Sequence, residues 1–304
     1  TQPPTNLPQN TAMAPKVWHL KGTCCDRSIM VPVSVGGLTQ TSLLTDQLLA
    51  YYRQLPETQL TVVDVETTGS RPHEARVIEI AVVQGSLHEG ITYEADFLVN
   101  AQVRVPHTIT RLTGITTAMV EGGMAADRVW STLRSHLDQG TLTGHNLAFD
   151  YSFIQQEYQR LGQGYQRPQG QQFCTVMLSR LLLADLPSRS LPQLVRHFGF
   201  DVGRSHRAMA DTKACWLLAN LLLERLADKS DDDLRQQFIQ QWVPLREAVK
   251  VFKCTRVELQ QMLDDRGCDR RTSRRGNRHM YRRGDIEALY QDLYPQQLTL
   301  NLTD

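Results

Sequence analysis

The chain has 304 residues, 41% of them hydrophobic, and a net charge of +1. That length accommodates one sizeable domain and a smaller one. No apolar run approaches the roughly 18 residues of a membrane span, and the chain does not open on the basic and apolar stretches of a signal peptide. The six cysteines (24, 25, 174, 215, 254 and 268) form no C-x-x-C pair, which predicts a reduced, cytoplasmic protein.

Residues 1–15 are rich in Pro, Thr, Gln and Asn and predict a disordered tail. With the β-prone stretch at 29–35 they make up an N-terminal segment of residues 1–40. Ser42 to Leu55 reads as an amphipathic helix: Thr41 or Ser42 can cap it, Leu44, Leu48 and Tyr52 recur at helical spacing, and Pro56 follows. Thr61 to Gly69 is a β-rich run that breaks at the glycine. Residues two apart on a strand share a face, so Asp64 and Glu66 project together while Val63 and Val65 point into a core. Paired carboxylates repel unless a cation lies between them, and oxygen-only ligands suit Mg²⁺ or Mn²⁺. Taken alone, D-x-E favours a half-buried strand with a polar face.

Two further strands, Arg76 to Gln84 and Ile91 to Val99, flank a turn at Ser86 to Gly90 and predict an antiparallel meander. Pro106 to Ile115 reads as a loop, Val129 to Leu137 as a helix and Thr141 to Gly144 as a short strand. This succession indicates an α/β sheet with helices on its faces. After Gly144 comes His145-Asn146-Leu147-Ala148-Phe149-Asp150, with a helix starting near Asp150. An aspartate there is also a good N-cap, worth about 1 kcal/mol. Asp211 lies in the opening turns of a helix that runs to Leu226, and His206 on the loop before it.

Asp64, Glu66, Asp150, Asp211 and His206 form the inventory that phosphodiester cleavage needs. Two cations about 3.5–4 Å apart stabilise the attacking and leaving oxygens of an in-line displacement. A histidine titrating near neutrality can take the proton of the attacking water.

The series D-x-E-T-T-G, H-N-x-x-F-D and H-x-A-x-x-D resembles the three motifs of the DEDDh 3′→5′ exonucleases. That family includes the proofreading epsilon subunit of bacterial DNA polymerase III, ribonuclease T and oligoribonuclease. The resemblance covers about residues 58–226. It implies an RNase H-like mixed sheet flanked by helices, and release of 5′-mononucleotides. Carried over, Asp64, Glu66 and Asp211 hold the first of two Mg²⁺ or Mn²⁺ ions, Asp64 bridges to the second with Asp150 assisting, and His206 is the general base. Leu112-Thr113-Gly114-Ile115 resembles the family's T-G-I loop. The substrate contacts implied are then Thr67, Thr68, Leu112, Gly114, Ile115 and Asn146. Phe173-Cys174-Thr175 departs from the Asp-Thr of many relatives, at a position outside the metal ligands.

Asp228 to Asp233 is an acidic break that reads as a linker. Beyond it, Leu245 to Phe252 and Thr255 to Leu263 read as helices, the second capped by Thr255. Residues 266–283 hold eight arginines (266, 270, 271, 274, 275, 278, 282 and 283) against one acid, Asp269. Gly276 and Asn277 suit a hairpin tip, and another helix begins at Gly284. This order resembles the winged helix-turn-helix of the excisionase/MerR type. Arg270, Arg271, Arg274, Arg275, Arg278, Arg282 and Arg283 are the candidates for neutralising phosphates; a solvated basic face, or a surface for an acidic protein, is the competing reading. The closing stretch Gln297-Leu298-Thr299-Leu300-Asn301-Leu302 resembles the Q-L-x-L-x-L peptide that binds sliding clamps, with Gln297, Leu298, Leu300 and Leu302 as its contacts. The expected organisation is a tail (1–40), an exonuclease domain (41–227), a linker (228–233), a small winged helix-turn-helix domain (234–292) and a clamp-binding tail (293–304). The expected function is metal-dependent 3′→5′ exonuclease activity on DNA in proofreading or repair. The expected partners are DNA and a sliding clamp or polymerase, without a membrane, and with oligomers open. An RNA-trimming enzyme and a catalytically silent DNA- or clamp-binding adaptor are the alternatives.

Overall fold

Strand β1 (Leu60–Thr67) is the centre of the architecture because it changes character along its length. Leu60 and Val62 are buried on one face, against one apolar cluster, and Val63 and Val65 on the other, against a second. Past Val62 the first face turns acidic, at Asp64 and Glu66. The computed structural model describes residues 38–40, 42–203, 205–272 and 278–295. The tail at 1–15, the β-prone stretch at 29–35, Arg274, Arg275, the expected hairpin tip and the clamp-like peptide lie outside the described residues.

Helix α1 (Thr45–Gln54) precedes β1, and β2 (Val77–Ser86) and β3 (Gly90–Asn100) follow it as the expected antiparallel meander. The chain then forms α2 (His107–Thr113), α3 (Thr117–Glu121), β4 (Met124–Ala125), α4 (Ala126–Leu137) and β5 (Thr141–Gly144). Next come α5 (Ala148–Arg160), β6 (Gln172–Cys174), α6 (Thr175–Leu182), α7 (Leu191–Phe198) and α8 (Ala208–Ala227). The six strands order as β4-β3-β2-β1-β5-β6, with β5 parallel to both β1 and β6. Side chains of α1, α6, α7 and α8 cover one face, and those of α4 and α5 the other. A bulge interrupts the β1–β2 ladder: Glu66 pairs with Glu79 but Thr67 with Val77, leaving Ile78 as an extra residue. Ile78 packs with Val105, Ile115 and Val120, which anchors the α2–α3 segment to the sheet.

Three expectations need correction here. Residues 107–113 are helical rather than looped; Gly114 closes that turn at φ 80°, a conformation glycine adopts without strain. Helix α1 receives no side-chain cap from its N-cap residue, Leu44, and the expected Thr41 lies outside the described residues; the first amide, on Thr45, donates to Glu287 Oε1 at 3.1 Å. Asp231–Asp233, expected as linker, form the first turn of α9 (Asp231–Ile239), capped by Ser230. Acids there suit the positive end of the helix dipole.

The remaining chain forms β7 (Trp242–Pro244), α10 (Leu245–Ala248), α11 (Arg256–Asp265), β8 (Arg271–Thr272), β9 (His279–Arg282) and α12 (Arg283–Leu293). A β7-β9-β8 sheet and the helices α10, α11 and α12 enclose their own small core around Leu245, Leu259, Leu263, Tyr281 and Ile286. Thr255 caps α11 in a full capping box with Glu258. Helix α10 stops at Ala248, short of the expected Phe252.

Candidate active site

The acidic face of β1 supplies Asp64 and Glu66. Pairing of β1 with β5 ends at Val62 and Thr143, so the amide of Val65 has no strand partner on that side. Asp150 takes it: its Oδ1 accepts from Val65 N at 3.1 Å. This is a different job from the expected N-cap, since Asp150 lies inside α5, whose N-cap is Leu147. Asn146 turns the chain between β5 and α5 with φ 78°. From the other side, α8 brings Asp211. The backbone amide of His206 donates to Asp211 Oδ2 at 3.0 Å, with His206 in the left-handed region at φ 62°. Glu66, His206 and Asp211 offer ligand atoms that all lie within 4.8 Å of one another.

The electrostatics of this cluster are those of a site built for cations. Burial first, then the charges of Asp150, Asp211 and Glu66, push the Asp64 carboxyl well above the usual carboxylate range. Burial and the neighbouring Asp211 raise Glu66 to about 7. Asp150 also rises to about 7 through burial, although the Val65 amide pulls it back, and burial raises Asp211. Four crowded carboxyls, each raised for want of a counter-charge, fit a hard divalent cation. The donor set is therefore suited to a divalent metal.

Two buried acids that sequence reasoning missed frame the cluster. Glu79, 2% exposed, lies opposite Glu66 on β2 and receives Arg207 Nη2 at 2.6 Å and the amide of Ala208 at 2.9 Å. Glu157, on α5, receives Arg76 Nε at 2.9 Å, Arg160 Nη1 at 2.8 Å and the amide of Val77 at 3.2 Å. Arg160 also donates to the carbonyls of Pro72 and Ala75, pinning the loop after Gly69. The available signal was an acid inside an apolar strand, Val77-Ile78-Glu79-Ile80. His145 lies beneath Asn146, its Nδ1 2.9 Å from Thr175 Oγ1 and its Nε2 2.8 Å from the Arg189 carbonyl. Burial lowers its pKa to about 4 and keeps it neutral.

The expected substrate contacts divide. Leu112 is 49% exposed, and Asn146 is exposed. Ile115 is wholly buried beside Ile78, so it anchors the loop rather than meeting a ligand. Thr67 is buried, with its hydroxyl donating to the Gly69 carbonyl at 2.7 Å. The Thr68 amide donates to the Arg76 carbonyl and its hydroxyl accepts from Arg76 N, both at 2.9 Å, so both groups close the turn. In the C-terminal region, Arg270, Arg271 and Arg278 are exposed. Arg282 stacks 4.0 Å from the Trp242 ring centroid and donates to the Gln240 carbonyl. Arg283 is 7% exposed and donates to the carbonyls of Ser42 and Leu43 and to Gln241 Oε1. Burial and committed donors remove Arg283 from the phosphate-binding set.

The two-faced sheet and its acidic cluster define the fold and site of an exonuclease. A family model described as an exonuclease, of the RNase T group, matches residues 61–218, and the chain belongs to that family. It is 32% identical over 171 residues to a PolC-type DNA polymerase III of Clostridium perfringens. It is 30% identical over 177 residues to the 3′-5′ exonuclease DinG of Bacillus subtilis. These matches cover 56% and 58% of this chain but only 12% and 19% of the relatives. Among solved structures, Escherichia coli Exonuclease I in complex with a dT13 oligonucleotide superposes with a TM-score of 0.52 at 17% identity, covering 64% of this chain and 46% of that one. The fold is the RNase H-like mixed sheet flanked by helices. No helix among the described residues is long and apolar enough to cross a membrane.

Proposed function

We propose that the protein is a metal-dependent 3′→5′ exonuclease that hydrolyses the terminal phosphodiester of DNA and releases 5′-mononucleotides, in proofreading or repair. The observation that carries this reading is the convergence of Glu66, His206 and Asp211 within 4.8 Å beside Asp64 and Asp150. These four carboxylates are the candidate ligands of Mg²⁺ or Mn²⁺; bound in a pair, such ions stabilise the attacking and leaving oxygens of an in-line displacement. The chain's own residues orient and move protons. His206 takes the proton of the attacking water on an imidazole nitrogen, and Asp211 fixes the His206 backbone. The water oxygen bonds to phosphorus as the bond to the leaving 3′ oxygen breaks, and that oxygen takes a proton from solvent water as it departs. Leu112, Gly114 and Asn146 are the candidate contacts for the terminal nucleotides.

The C-terminal region is proposed as a winged helix-turn-helix that binds DNA phosphates. The small core formed with α10, α11 and the β7-β9-β8 sheet supports this, as do the exposed Arg270, Arg271 and Arg278. Arg274 and Arg275, outside the described residues, belong to the same proposal. So does a clamp-binding role for Gln297, Leu298, Leu300 and Leu302, in a protein acting in the cytoplasm.

The test is digestion of matched 5′-labelled single-stranded DNA and RNA with Mg²⁺, comparing the intact chain with Asp64→Ala and His206→Ala. The expected result is a ladder shortening from the 3′ end of DNA, abolished in Asp64→Ala and slowed to a residual rate in His206→Ala. Shortening of RNA alone replaces the substrate class. No metal-dependent shortening of either leaves a binding adaptor.

A further inference from the structure

Helix α8 begins without a side-chain cap of its own. Its N-cap residue, Arg207, makes no such bond, so the first amide of the helix needs an acceptor from elsewhere. Glu79 provides it from the neighbouring strand: Oε2 lies 2.9 Å from the amide of Ala208. The same carboxylate receives Arg207 Nε at 3.0 Å and Nη2 at 2.6 Å, a two-pronged guanidinium contact. Glu79 thus grips the residue after His206 and the residue after that. His206 itself is in a left-handed backbone conformation at φ 62°, one that non-glycine residues keep only where surrounding structure holds them. Two grips flank it: its own amide is on Asp211, and its C-terminal neighbours are on Glu79. Glu79 reaches this position from β2, where the regular part of the ladder sets it directly opposite Glu66.

We infer that Glu79 is a positioning residue for His206. Through Arg207 and the Ala208 amide it fixes the turn from which the imidazole reaches the reacting water. Buried and neutralised by Arg207, Glu79 is not itself among the metal ligands. This inference rests on the proposed role of His206 as the base.

The experiment is a double-mutant cycle on single-stranded DNA in the full chain, with Glu79→Gln, Arg207→Gln, His206→Ala and each combination with the last. Glu79→Gln keeps the shape and a carbonyl acceptor, and Arg207→Gln changes a side chain 39% exposed, so the second variant serves if the first does not fold. Either is expected to lower kcat by tenfold or more, since displacement by about 1 Å costs up to about 10²-fold. KM and the Mg²⁺ half-saturation should stay within about twofold. In the His206→Ala background the same substitutions should then cost less than about twofold, because the group they place is gone. In metal-free protein, amide hydrogen exchange at His206 and Ala208 should accelerate in both variants. Equal losses of kcat with and without His206, or unchanged exchange at these amides, would overturn the inference. Full turnover by His206→Ala alone would overturn the base assignment instead, and the inference with it.

Discussion

Asp64 illustrates how a proposed metal ligand costs the fold something. Its carboxyl is buried among Asp150, Asp211 and Glu66, and its pKa stands well above the usual range. An acid whose pKa is higher in the folded than in the unfolded chain favours the fold at low pH, and that contribution is lost as pH rises through the folded value. In metal-free protein with EDTA, Asp64→Asn should therefore stabilise the fold at pH 8, by about 1–2 kcal/mol. The gain should shrink as pH falls and vanish below the ordinary carboxylate range, where the side chain is protonated in both the folded and the unfolded chain. Melting curves across that range check it; a gain that grows toward acid pH contradicts the sign. The spacing of Asp64 and Glu66 made their shared face legible in the sequence, and the motif order brought in Asp150, His206 and Asp211. Glu79 and Glu157 were not legible. Each is a single acid whose partners, Arg207 and Arg76, lie 128 and 81 residues away along the chain. The acid inside an apolar strand at Glu79 and the nearby Arg160 beside Glu157 are local signals, but neither points to the distant arginine.

At the level of elements, strands and helices with strong periodicity were readable: β1, β2, β3, β5 and α8 fall close to their expected bounds. Two of the misreadings share one cause, that tertiary contacts decide what short polar segments do. Residues 107–113 lack apolar density, yet they form α2 because Ile109 and Ile115 pack on Ile78. Ser42 looked like a cap for α1, but Glu287 does that work from 242 residues away. The β2–β3 hairpin makes a sharper demand. A Cβ on Gly85 would overlap the Gly90 carbonyl and lie 2.8 Å from the Trp216 ring. Backbone cannot yield as a flexible side chain can. Gly85→Ala should destabilise the chain by about 1–3 kcal/mol, read as a lower denaturant midpoint at unchanged slope. A midpoint equal to the parent's would mean that the hairpin opens at no cost.

Across the whole molecule, the C-terminal region is bolted to the catalytic core rather than tethered to it. Arg283 donates at 2.7 Å to the Leu43 carbonyl, Glu287 caps α1, and Arg235 of α9 pairs with Asp46 of α1 at 2.8 Å. The sequence signalled a change of composition near residue 228, but not that the regions on either side share α1. Arg283→Ala leaves several buried acceptors unpaired and should cost on the order of 3 kcal/mol, without altering the salt dependence of DNA binding in protein that remains folded. Replacing Arg270, Arg271 and Arg278 with Ala should do the reverse. Stability should hold, and the slope of log affinity against log salt on duplex DNA should flatten by about 0.9 for each phosphate that is no longer neutralised. A flattened slope in the Arg283 variant, or an unchanged one in the triple variant, would reverse that division of labour.

The bulge at Ile78 has a consequence for which lengths of β2 the protein can tolerate. Deleting that residue would give β1 and β2 an unbroken ladder, and the sheet would be more regular. But α2 and α3 would lose the side chain on which they rest. Gains and losses of single residues are thus confined to turns such as 87–89, whereas the number of residues between Val77 and Glu79 is fixed. The more perfectly paired sheet would belong to a protein with no seat for the helix that carries Leu112.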